Sequence, residues 1–229
     1  MKWKIFILTL ISLIFSACSN IEPESPYLLK TFGAETLTTK AQNQVTWVVG
    51  DSIRVYSLDT DKRIIHYDDA LVTSIRGSVG KVTAEVAKDA ASYYAVYPRD
   101  AVKSDLGEIL AADEKDDFNF RRTGVFGDVS IMTKALSLKD KTIYFQNRFS
   151  LACILDPAYE AKNHILQSID GIEVNVPKDF SEDAYYIAID CVDRNVDIVY
   201  LKGTTYTTIK KTFYPDHVYQ INYRNGMYW

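Results

Sequence analysis

Between residues 142 and 156 the chain alternates apolar and polar side chains more cleanly than anywhere else. Ile143, Phe145, Phe149, Leu151, Cys153 and Leu155 fall on one side, and Tyr144, Gln146, Arg148 and Ser150 on the other. Successive side chains of a strand point to opposite faces, so a period of two marks a half-buried β-strand. Its length predicts a bend near Asn147. The same period returns at residues 81–87, where Val82, Ala84 and Val86 oppose Lys81, Thr83 and Glu85. Residues 92–97 (Ser-Tyr-Tyr-Ala-Val-Tyr) are apolar or aromatic on both faces, which predicts a central strand covered on both sides. Pro98 ends it, because proline cannot donate to the ladder. No long stretch carries the helical period.

Further strands are predicted at residues 45–49, 53–58, 64–67, 130–133, 172–176, 184–190, 196–201, 204–210 and 217–223. Turn residues punctuate them, among them Gly50-Asp51, Asp170-Gly171 and Lys202-Gly203. With 16 Tyr, 10 Phe and many Val, Ile and Thr, this is sheet composition. Many short, regularly punctuated strands give an all-β fold of antiparallel sandwiches. Two units are expected, residues 27–157 and 158–229. The second has only about five strands, few for a closed sandwich. It must cover a sheet face with the first unit, a partner or a strand from elsewhere. The exception to the strand pattern is 99–128, a polar stretch with the charge run Asp113-Glu114-Lys115-Asp116-Asp117. It reads as a solvated excursion with a short helix around 106–112, and it lacks the Asp-x-Asp-x-Asp-Gly spacing of a calcium loop.

The start of the chain reads as an address. Lys2 and Lys4 precede an apolar run over residues 5–15, well short of the roughly 20 residues a spanning helix needs. Ser16, Ala17 and Cys18 follow. Small residues before a cysteine are what a lipoprotein signal peptidase requires, so residues 1–17 are expected to be removed between Ala17 and Cys18. Cys18 is then expected to carry the lipid that attaches the protein to a membrane, since two or three acyl chains anchor stably where one does not. Ordinary secretory cleavage, with Cys18 incidental, is the other reading. Residues 18–26 are polar and broken by proline, which makes a tether.

A search for chemistry finds little. The net charge is −4 and nothing basic clusters, which argues against nucleic acid as a partner. His66, His164 and His217 lie far apart in sequence and in no ligand spacing. No Gly-x-Ser-x-Gly, Walker A or Gly-x-Gly-x-x-Gly sequence occurs. No cofactor or metal is expected, and no catalytic residue is assigned. The carboxylate pairs Asp59/Asp61 and Asp68/Asp69 read as turn and surface acidity. Cys153 and Cys191 sit in apolar strand patterns, so two buried free thiols are favoured over a disulfide.

Three blocks carry a family resemblance. Residues 45–56 (Val-Thr-Trp-Val-Val-Gly-Asp-Ser-Ile-Arg-Val-Tyr), 92–98 (Ser-Tyr-Tyr-Ala-Val-Tyr-Pro) and 145–155 (Phe-Gln-Asn-Arg-Phe-Ser-Leu-Ala-Cys-Ile-Leu) resemble, in order, motifs of the fimbrillin family of Bacteroidetes surface lipoproteins and type V pilus subunits. Asn147 stands where that family usually has histidine. The resemblance implies two Greek-key, transthyretin-like β-sandwich domains and a lipid-anchored, surface-exposed place on the cell outer membrane or in fimbriae. It also implies a role in adhesion or fimbrial assembly, with other fimbrial subunits or host and bacterial surface ligands as partners. In pilins of this family a protease removes an N-terminal segment after arginine, and a strand of another subunit fills the groove. Here no arginine lies between Cys18 and Arg54, and Arg54 is in a predicted strand. That favours an anchor or accessory subunit over a polymerising pilin. The alternative is a lipid-anchored glycan-binding module using exposed aromatic rings; an enzyme on the same scaffold ranks last.

Overall fold

A computed structural model describes residues 24–36, 47–110, 118–119, 121–190, 194–214 and 217–221. Ala17, Cys18, Cys191, the acidic run and the aromatic segment 223–229 lie outside the described residues. Seven strands precede Thr142: β1 (Tyr27–Thr36), β2 (Ser52–Leu58), β3 (Ile64–Arg76), β4 (Val79–Ala87), β5 (Ser92–Tyr97), β6 (Thr123–Gly124) and β7 (Met132–Leu136). Eight follow: β8 (Thr142–Asn147), β9 (Ser150–Leu155), β10 (Leu166–Ile169), β11 (Ile172–Glu173), β12 (Ala184–Ile189), β13 (Arg194–Lys202), β14 (Thr205–Phe213) and β15 (Val218–Ile221). Two short helices complete the described set, α1 (Phe126–Val129) and α2 (Pro157–Asn163). The fold is all-β, as the alternation predicts.

In place of an open two-sheet sandwich, the first sheet closes on itself in the order β1-β4-β3-β2-β5-β7-β8. Its neighbours are antiparallel except at the seam, where β1 runs parallel to β8. The closing strand is β1, which the alternation does not flag. Val82, Ala84 and Val86 of β4 point into the closed sheet, with Ile53 and Val55 of β2 and Phe145 of β8. Alternation thus becomes inside and outside of a barrel.

The predicted bend divides the long strand at residues 147–149. β8 stays in the barrel, while β9 joins a second sheet of order β15-β9-β12-β6. Asn147 holds the corner: its side-chain amide donates to Ser130 Oγ at 3.1 Å, and its Oδ1 accepts from the Phe149 backbone N–H at 3.2 Å. This second sheet is buried on both faces. Leu151 and Cys153 of β9 and Ala188 of β12 pack towards the outer face of β2 and β5. Ala152, Ile154 and Ile187 pack the other way, against a third sheet of order β11-β10-β13-β14. Double coverage explains why Ser150–Leu155 and Ala184–Ile189 are buried along almost their whole length. The same geometry accounts for β5, where Tyr93 and Ala95 enter the barrel and Val96 enters the middle layer.

The stretch 99–128 departs from expectation. Ala101, Val102, Leu110 and Phe118 are buried in the middle layer, and Phe118 meets Phe149 edge-on at 5.4 Å between ring centres. Residues 106–110 form a turn and a bridge rather than a helix, with Gly107 N–H donating to Ile64 O and Ile109 bridging Arg63. Charge dominates the composition there and hides apolar residues that have no regular spacing.

Candidate functional site

The three sequence blocks converge at one end of the barrel. Trp47 from the first meets Tyr97 from the second edge-on at 5.0 Å and Phe145 from the third at 5.4 Å. Trp47 fits because its neighbour is Gly80, where a Cβ would stand 3.3 Å from the indole ring. Asp51 ties the turn together. One carboxylate oxygen accepts from the Val48 N–H at 2.7 Å, and the other is 3.4 Å from the Tyr97 hydroxyl. Burial, with the Asp51 carboxylate second, pushes the Tyr97 phenol up to about 12.

Beside this cluster runs β1, the strand that closes the barrel. It pairs with β4 from Tyr27↔Ala87 to Ala34↔Gly80. On its other side it pairs with β8 only from Gly33↔Thr142 to Thr36↔Phe145. Its first half therefore has one strand neighbour. Across the remaining gap Lys30 Nζ donates to Leu138 O at 2.5 Å and lies over the rings of Phe32 (5.2 Å) and Tyr93 (4.8 Å). Burial lowers the Lys30 amine pKa, and Asp140 opposes that shift.

Two side chains of β1 are wholly buried, Phe32 and Ala34. Phe32 fills the barrel against Tyr93, edge-on at 6.3 Å. Gly33 between them faces outward at a tight place: a Cβ there would stand 3.2 Å from Val79 Cγ1 and 3.6 Å from Thr142 Oγ1. The outward Leu29 is 74% exposed, so the strand shows apolar surface to water on its outer face. At its start Tyr27 stacks on His66 at 4.2 Å, and the tether reaches it through a Lys88–Glu24 ion pair and a Lys88 N–H to Pro26 O bond.

The other sequence candidates have structural employment. Arg54 lies within β2, as predicted, and grips Asp69 through two bonds of 2.6 and 2.9 Å while stacking over Tyr67 at 4.4 Å. That bidentate grip raises its pKa further, so Arg54 is a fixed cation in a ladder. Asp59 accepts the N–H groups of Asp61 and Arg63, and Asp68 accepts that of Glu85. The three histidines belong to separate places: His66 beside Tyr27, His164 at the end of α2 and His217 beside Tyr214 and Tyr219. Among the described residues no three His, Cys, Asp or Glu side chains gather to hold a metal ion. Cys153 is a free buried thiol, its pKa raised by burial.

No family model and no curated protein matches the chain. Its structural neighbours are fimbrial and adhesion proteins of Bacteroidetes. A fimbrial assembly protein from Parabacteroides distasonis aligns with a TM-score of 0.44 at 13% identity, over 85% of this chain and 90% of that one. A proposed cell adhesion protein from Bacteroides uniformis gives 0.39 at 14%, over 87% and 96%. The tip fimbrial protein Mfa3 from Porphyromonas gingivalis, truncated at its C-terminus, gives 0.34 at 11%, over 81% of each chain. At such scores and identities the likeness carries no conclusion about function.

The sequence reading missed β1, the strand on which the site depends. Its Phe32 and Ala34 do alternate, but the adjacent exposed leucines and Gly33 break the pattern that would announce a strand.

Proposed function

We propose that this protein is a lipid-anchored, surface-exposed protein of fimbrillin type that acts in adhesion or fimbrial assembly. In this reading it is an anchor or accessory subunit that engages a partner by strand complementation, with β1 as the replaceable strand. The observation that carries the reading is the seam. β1 closes the barrel yet shares only Gly33–Thr36 with β8, and among the described residues its first half is hydrogen-bonded on that side through Lys30. A strand with two neighbours and a short, one-sided second pairing can be exchanged for another of the same direction, because backbone bonds are regained and alternate side chains refill the core. Support also comes from the three sequence blocks meeting at Trp47, Tyr97 and Phe145 beside that seam. Arg54 is locked in β2 and supplies no accessible cleavage point, which fits an anchor or accessory role better than a polymerising one. No catalytic role is proposed.

The test is to shear intact cells and immunoblot released and cell-bound fractions, boiled and unboiled, beside a Cys18→Ala strain. The expected outcome is a cell-bound protein that Cys18→Ala releases, found unboiled in a heat-sensitive complex with a partner. A soluble protein in both strains, never larger than a monomer before boiling, would sink the proposal.

A further inference from the structure

The second sheet carries a cavity that the proposed exchange of β1 does not use. The face of this sheet that packs on the barrel runs out from beneath it, and burial falls along each strand on the way. On β9, Leu151 and Cys153 are wholly buried and Leu155 is half-buried. On β12, Ala188 and Tyr186 are buried and Ala184 is half-buried. Register sets Tyr186 beside Cys153 on one side, and Gln220 of β15 beside it on the other. These three side chains cross the floor of a cavity of about 460 Å³, within the roughly 300–1,000 Å³ of small-molecule sites. Phe126 of α1 closes one wall. Its ring meets that of Tyr186 edge-on, with 5.4 Å between centres and 71° between planes, so the pair forms an aromatic corner. Leu155 and Ala184 extend the apolar lining. Burial pushes the Cys153 thiol up, so the floor is uncharged at neutral pH.

At the mouth stand Glu182 and Asp183, consecutive and exposed. Among the described residues neither pairs with a lysine or arginine, and no basic residue lines the cavity. Alone, two such carboxylates are solvated surface acidity; the walled aromatic hollow beneath them is what makes a site. An anion entering it would meet two like charges. A neutral apolar molecule would gain burial and nothing from the carboxylates. A cation with an apolar body uses every part. Its charge lies between the carboxylates and the ring faces that attract it, and its body covers Leu155 and the floor. We propose that this cavity binds a small organic cation, an alkyl- or arylalkylammonium ion, with Phe126 and Tyr186 as its ring contacts and Glu182 and Asp183 as its counter-charges.

The test titrates the full chain at neutral pH and low salt with phenethylamine, followed by ligand-observed NMR. Phenethyl alcohol and hydrocinnamate serve as its neutral and anionic counterparts. The amine is expected to bind, the alcohol about tenfold more weakly and the carboxylate not at all. Glu182→Gln combined with Asp183→Asn should weaken the amine about tenfold and leave the alcohol unchanged. Both residues are exposed, so the fold tolerates the change. Phe126→Leu keeps an apolar wall but removes the ring, and should weaken the amine more than the alcohol. Asp89→Asn, an exposed carboxylate between β4 and β5, should change nothing. Equal binding of the amine and the carboxylate would overturn the proposal. So would an equal loss in Asp89→Asn, because the amine would then be following the net charge of −4 and not the cavity. Absence of amine binding at millimolar concentration would overturn it as well. None of these outcomes bears on the exchange of β1, which the shearing experiment decides.

Discussion

The N-terminal barrel and the C-terminal sheet solve the same problem in different ways. Every open sheet presents unpaired N–H and C=O groups along its edge strands, and these invite other chains. The barrel removes its edges by bringing β1 across from β4 to β8. The third sheet keeps two, the two-residue β11 and the long β14: among the described residues, β14 pairs with β13 along its full length and with nothing on its other side. One region is closed by a strand with a short second pairing, and the other is open but carries Lys210 and Lys211 on its rim. A seam is conditional protection and a charged rim is permanent. That difference is why the proposed strand exchange is assigned to the barrel, even though β14 is the longer exposed edge.

The sharpest way to break this comparison is to weaken the seam from inside. Phe32 is wholly buried, so Phe32→Ala removes a ring and leaves a cavity, at a cost of about 3–5 kcal/mol. Leu29, on the same strand but mostly exposed, should cost within about 0.5 kcal/mol when changed to Ala. Urea unfolding of the two variants measures both. Equal losses would mean that β1 does not seat through its inward face, and the proposed exchange of β1 would lose its structural basis.

The next effect lies at the motif cluster beside the seam. The Tyr97 pKa is raised in the fold, so the neutral phenol contributes stability that is fully present below the ordinary tyrosine value near 10. That contribution is lost as the pH rises from there through about 12. The shift corresponds to about 2–3 kcal/mol. Lys30 works in the opposite direction, because its lowered amine pKa makes stability rise with pH just below its ordinary value. Comparing the unaltered chain with Tyr97→Phe cancels the lysine. The variant should lose less stability between pH 10 and 12. Parallel curves would mean that the cluster does not bury its phenol and leaves the seam unsupported at that end.

How much of this could be read beforehand depends on what each residue packs against. The central strand at 92–97, the bend at Asn147 and the alternation of 81–87 were legible because side-chain period and burial agree there. The Asp170-Gly171 turn was also legible: both residues adopt positive φ, 53° and 74°, as a tight hairpin between β10 and β11 requires. β1 was hidden, because a seam strand with a free outer side tolerates Leu29, and the close approach of Val79 demands glycine where a strand former would be expected. Closure of the barrel was hidden for another reason. Whether two sheet edges meet depends on pairing across the whole unit, and local pattern carries no information on it.

The smallest expected change in stability tests the other half of the comparison. Lys210 faces outward, 3.8 Å from Asp197 across the hairpin, and both side chains are largely in water, so the pair adds little. Lys211 is half-buried on the face that carries Phe213, opposite Val196, and a cation aimed towards the core side of an edge strand discourages further pairing. Replacing both with threonine should therefore leave unfolding within about 0.5 kcal/mol of the original. Sedimentation velocity should nonetheless show association that grows with protein concentration, because nine residues of edge, Thr205–Phe213, would then be uncharged and rich in β-formers. If the doubly substituted chain stays monomeric, charge is not what guards β14. The C-terminal edge would then stand beside the β1 seam as a second candidate for the proposed strand pairing.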